Sequence, residues 1–324
     1  MARIRSRSRS RAGFTLIEMV IVLGIILLLA ALFLGAVMKV MGMAPEVQTR
    51  TEISELEVAL KAFMSDYGLD KPPPSLLMLK EDMAYNTANP LDLQSVTFLK
   101  KMFGKNLNAT GTGIDWNGDG QIVAGPTGWY TLEGEMALVF YLSGIPNNWE
   151  RTNLGADLRG LGFSVNNNNP AADTGLAVAH MGAGNRKGTY YTFPANRLVT
   201  ASTYSTATSS LSPFFYVFVD PWKSRIGGPK PYAFFSSGGA NNLYNPYKAA
   251  GITDCLTIGA NAWYTAAVAG VPSAYENPNT YQILSAGRDG TFGDGNYIGG
   301  TTGIGPGHDD QANFSSRILG ANQQ

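Results

Sequence analysis

The sequence predicts an α+β protein: a long N-terminal helix, apolar and then amphipathic, packed on a C-terminal antiparallel β-sheet domain with large loop insertions. Three observations carry that prediction. An apolar run extends from Phe14 to Met38 with Glu18 as its only ionisable side chain. Apolar residues three and four apart follow it. The last third of the chain is rich in short aromatic and β-branched stretches.

With 324 residues the chain is long enough to bury a sizeable core. Hydrophobic residues make up 44% and charged residues 15%, and 15 Tyr, 15 Phe and 5 Trp require burial, so the 38 glycines read as loops of a folded domain rather than disorder. Formal net charge is zero, but five arginines precede Gly13, and a chain without them keeps 19 basic against 24 acidic residues, a formal charge of −5. That balance argues against nucleic acid as a partner. Cys255 is the only cysteine, which excludes an intramolecular disulfide and reads as a buried structural thiol.

The first element is a membrane-length helix. Arg3, Arg5, Arg7, Arg9 and Arg11 would hold its N-terminus on the cytoplasmic side. An ordinary secretory signal places its small-residue cleavage site after the apolar core. Here Ala12-Gly13 comes before it, followed by Phe14-Thr15-Leu16-Ile17-Glu18. This order resembles the processing signature of type IV prepilins and pseudopilins. The resemblance implies that a prepilin peptidase cuts between Gly13 and Phe14 and methylates the new amino group of Phe14, leaving the apolar helix as membrane anchor and later filament core. Glu18 is then expected to neutralise the amino terminus of a neighbouring subunit during assembly, since an unpaired charge in hydrocarbon is costly.

Pro45 predicts a kink or break. Ile53, Leu56, Leu60, Phe63 and Tyr67 then fall on one helical face, with Arg50, Glu52, Glu55, Glu57 and Lys61 largely elsewhere, until Gly68 and Pro72-Pro73-Pro74 end the helix. The chain divides accordingly into a basic leader, 1–13, an N-terminal helix, 14–67, and a globular domain, 68–324. Residues 75–103 read as mixed helix and loop. The apolar run "GEMALVFYLSG", 134–144, fits either a helix or a strand, and 151–210 reads as polar surface loops. Strands are expected at 214–222, 231–237 and 280–290, the first two joined as a hairpin by "KSRIGGPK".

Asp220-Pro221-Trp222, Pro231-Tyr232 and Ser285-Ala286-Gly287-Arg288-Asp289-Gly290 with Gly293 are similar in order and spacing to the end of the major pseudopilin of type II secretion systems. Residues about 104–210 and 238–279 depart from that family as insertions, which leaves major or minor subunit, and pilus or pseudopilus, open.

Two segments carry metal-ligand chemistry. In "DWNGDGQI", Asp115, Asn117, Asp119 and Gln121 alternate as in the first half of an EF-hand loop, which suits Ca²⁺; Glu133 or Glu135 would have to replace the missing twelfth ligand, and a metal-free turn is the alternative. Asp289, Asp294, Asp309 and Asp310 lie along a glycine-rich loop, and the pseudopilin resemblance implies calcium there. His308 reads as a solvated loop residue. His180 and His308 lack the partners of a zinc site, and no nucleophile elbow or P-loop points to an enzyme.

Together these readings describe a filament subunit. Its expected partners are the prepilin peptidase, copies of itself and other (pseudo)pilins, and an inner-membrane assembly platform. Its expected place is the inner membrane, with the C-terminal domain in the periplasm or outside the cell. The competing reading is a minor pilin or adhesin that binds a ligand through its inserted loops. A membrane-tethered enzyme would need a pocket of convergent titratable groups.

Overall fold

The computed structural model describes residues 15–148, 152, 160–172, 186–204, 212–222, 228–247, 253–268, 271–295, 308–316 and 318–319. It is α+β: an N-terminal apolar helix and a C-terminal domain of several small antiparallel sheets. The chain divides into two compact units, Met1–Pro45 and Glu46–Gln324.

Helix α1, Leu16–Asp66, spans 51 residues. Its segment Leu16–Leu34 is 19 residues long, and none of its residues is buried within the chain. At 1.5 Å per residue it extends about 28 Å, close to the hydrocarbon thickness of a bilayer. Helical structure continues through Pro45 instead of breaking there. The missing N–H and the ring clash cost about 3 kcal/mol, which a helix propagated from both sides absorbs.

Past Pro45 the expected face is the buried one: Ile53, Leu56, Leu60 and Phe63 are in the core and Tyr67 packs against it. Glu52 corrects the expected polar face, because it too is buried. Its carboxylate accepts hydrogen bonds from the Tyr232 hydroxyl at 2.7 Å and Gln48 Nε2 at 2.9 Å, and pairs with Arg197 at 2.6 Å. A charge is tolerated there because its partners are supplied by the sheet domain.

After the prolines come β1 (Leu77–Lys80) and α2 (Pro90–Phe103). Asn89 caps α2, its Oδ1 accepting the amides of Leu91 and Asp92, with Pro90 at the first turn. Strand β2 (Trp129–Leu132) pairs antiparallel with β1. The undecided run is helix α3 (Gly134–Ser143), buried on every side, as a helix without a polar face must be. It ends where Gly144, at φ +81°, donates its N–H to the Phe140 carbonyl; a Cβ at Gly144 would lie 2.3 Å from Gly162.

Short pairs follow: β3 (Phe163–Ser164) with β4 (Arg186–Lys187), and β5 (Leu198–Thr200) with β6 (Tyr216–Phe218). Phe163, Ala171, Leu198 and Ala201 are core residues, so the described parts of 151–210 are not merely surface loops. Strand β7 (Ala233–Ser236) does not form the expected hairpin with β6. The two meet through one antiparallel bridge, Val219 with Pro231, and then separate, β6 to β5 and β7 to β10.

Within the region expected as a second insertion, β8 (Tyr264–Val268) and β9 (Val271–Tyr275) form their own antiparallel pair. Strand β10 (Tyr281–Ser285) lies between β7 and β11 (Gln311–Ala312). This three-stranded sheet is buried on both faces. Phe234, Tyr281 and Ile283 join the core that contains α1 and α3, while Ala233, Phe235 and Leu284 join a second core with Cys255, Trp263 and Phe292. The alternation follows from the two-residue period of a strand.

Candidate functional site

Gly13 and Phe14, the expected cleavage pair, lie outside the described residues. Thr15 lies one residue before α1, and its geometry gives Glu18 a local partner. The Thr15 amide and hydroxyl donate to Glu18 Oε2 at 2.9 and 2.8 Å, and the Glu18 amide donates back to Thr15 Oγ1 at 3.3 Å. Thr15 at the cap and Glu18 three residues on form a capping box, which satisfies amides that the first turn of a helix leaves open.

In the first metal-ligand segment the side chains turn onto their own backbone. Asp115 accepts the amides of Gly118, Asp119 and Gly120; Asn117 Oδ1 accepts that of Asp119; and Asp119 Oδ1 accepts that of Gln121. Asp115 and Asn117 are buried, whereas Gln121 is exposed. Glu133 is engaged elsewhere, with both carboxylate oxygens on the amide and hydroxyl of Thr257 at 2.8 and 2.9 Å. Glu135 is buried near Cys255, where burial and the Glu133 charge push its carboxyl well up.

The carboxylate that does act on this loop is Glu81. It accepts the Val123 amide and the Tyr130 hydroxyl, and burial, with the charges of Asp115 and Asp119, raises its pKa to about 7. No spacing rule reaches it, since it follows β1 and meets the loop only through the β1–β2 fold.

The C-terminal segment brings three potential ligands together. Among the described residues, Asp289, His308 and Asp309 place one ligand atom each within 4.8 Å of one another. The Asp289 amide donates to Asp309 Oδ2 at 2.9 Å. Asp310 is buried beside them, one oxygen accepting the Gly293 amide at 3.0 Å and the other, like Asp309 Oδ1, without a partner among the described residues. Asp294 is exposed and outside the three-residue group. The oxygen donors fit a hard cation such as Ca²⁺, while the imidazole of His308 also admits a borderline metal.

The same region joins motifs read separately in the sequence. Asp220 is buried, its Oδ2 accepting the Ser285 hydroxyl at 2.8 Å, so the Asp-Pro-Trp and Ser-Ala-Gly segments are bonded to each other. Burial raises Asp220 to about 7 despite that bond.

No curated protein and no solved structure matches the chain significantly. Residues 8–34 match the prokaryotic N-terminal methylation motif. Coinciding with the apolar start of α1, that motif supports a type IV pilin-like, membrane-anchored protein processed by a prepilin peptidase.

Proposed function

We propose that the chain is a structural subunit of a type IV pilus-like or type II secretion pseudopilus filament, cleaved after Gly13, methylated on Phe14 and assembled through α1. The observation that carries this reading is the methylation motif at 8–34 opening a helix in which no residue of Leu16–Leu34 is buried within its own chain. That surface needs lipid or other helices around it. Before assembly the bilayer covers it, with the arginine leader inside and the C-terminal domain in the periplasm or outside the cell. In the filament, copies of α1 and other pilins cover it, held by packing and, outside lipid, by the hydrophobic effect. The assembly platform of the inner membrane would deliver subunits one at a time.

Cysteine crosslinking tests the assembly step. Cys255 is buried, so a single cysteine placed at Leu23 reports with little background. With the peptidase present, Leu23→Cys should yield a disulfide-linked dimer after oxidation, since one reactive thiol per subunit allows one crosslink. A chain that stays monomeric despite cleavage would overturn the filament reading.

A further inference from the structure

The C-terminal domain contains a cavity of about 450 Å³ between the Leu69–Leu76 segment, α2 and the turn after β7. Its volume falls in the range that holds small organic ligands. The walls include Leu69, Pro74, Leu76, Leu93, Phe98 and Leu243. Leu93 and Leu243 are 46% and 50% exposed, so apolar surface continues from the walls to the rim.

Polar groups gather at one place on this lining. Asp254 is almost completely buried; its Oδ2 accepts the Ser75 hydroxyl at 2.7 Å, and Ser75 Oγ accepts the Ser236 amide at 2.9 Å. Among the described residues, Asp254 Oδ1 has no hydrogen-bond partner and no cation pairs with this carboxylate. The charge acting on it is that of Glu133, which after burial itself is a second reason its pKa rises to about 6. Of the two lysines on the lining, Lys101 is ion-paired with Asp70 and Lys71 lays its stem over Gly239.

An apolar cavity whose lining holds a carboxylate with no cation beside it among the described residues is complementary to a positive, hydrogen-bond-donating head on an apolar body. We propose that this cavity binds an organic amine, with its ammonium group on Asp254 and its apolar part against Leu76, Leu93 and Phe98. Ser75 orients the carboxylate by holding its other oxygen. The proposal stands independently of the filament reading.

The test uses the full chain in lipid nanodiscs and fluorine NMR of para-fluorophenethylamine, with empty nanodiscs as the partition control. Saturable binding is expected, at least tenfold weaker in Asp254→Asn and abolished in Leu93→Trp, which fills the mouth from an exposed position. The isosteric acid, para-fluorophenylacetate, should not bind. Absence of saturable amine binding, equal binding by all three proteins, or equal binding of the acid would overturn the proposal. If Asp254→Asn unfolds, Leu93→Trp and the acid comparison decide.

Discussion

Glu18 has two jobs that different side chains separate. Its carboxylate caps α1 through Thr15 within the chain, and the filament reading gives it the amino terminus of a neighbour. Glutamine can hold a capping box but carries no charge. Glu18→Ala and Glu18→Gln should therefore both be cleaved normally, and both should lose at least tenfold in filament yield by sedimentation. Recovery in Glu18→Gln alone would make the cap, rather than the charge, the function. The buried pair Lys80–Asp92, 2.6 Å apart with the ammonium also over the Trp129 ring, makes a second residue-scale prediction. Asp92→Ala should lower unfolding stability by about 3–5 kcal/mol, because it leaves a buried charge unpaired. Glu18 was legible as the one charge in an apolar run, whereas its capping box with Thr15 was not read, although it is local. Glu81 and His308 were not legible, since Asp115 and Asp119 approach Glu81, and Asp289 approaches His308, only once the chain has folded.

At the scale of the element, what decided legibility was whether a segment has two chemically different faces. The second half of α1 does, and its core stripe was readable from spacing alone; Glu52 was the exception because Tyr232 and Arg197, its partners, are far along the chain. Helix α3 has one kind of face throughout, so periodicity could not separate helix from strand. The β6–β7 hairpin was misread because aromatic runs and a Gly-Pro connector fix strand character but not strand partner. Substitutions report on these packings. Leu56→Ala, in the fully buried stripe of α1, should cost about 2–5 kcal/mol. Gly144→Ala should cost more than about 2 kcal/mol, from a left-handed φ and a contact with Gly162 that leaves no room for a methyl group. Chemical denaturation monitored by tryptophan fluorescence measures both.

For the whole molecule, buried carboxyls set the pH dependence. Asp220 and Asp254 are raised from an ordinary 3.8 to about 7 and about 6, both chiefly by burial, and Glu135 is raised as well. Between those limits the folded chain holds more protons than the unfolded one, so unfolding free energy falls as pH rises. Thermal unfolding should therefore occur at a higher temperature near pH 5 than near pH 7.5. Calcium supplies an independent check on the C-terminal cluster. If Asp289, Asp309 and Asp310 hold it, millimolar Ca²⁺ should raise the unfolding temperature at pH 7.5, a chelator should reverse this, and Asp309→Asn should abolish it. An unchanged unfolding temperature would remove calcium from the account.

The central claim concerns the first residues of the mature chain. Intact mass and N-terminal sequencing of protein recovered from membranes, after expression with its prepilin peptidase, tests it most directly. The account predicts a chain that begins at methylated Phe14 and has lost Met1–Gly13. A chain that retains Met1 and its arginines in the presence of active peptidase would contradict it, and would reduce Leu16–Leu34 to an ordinary membrane anchor.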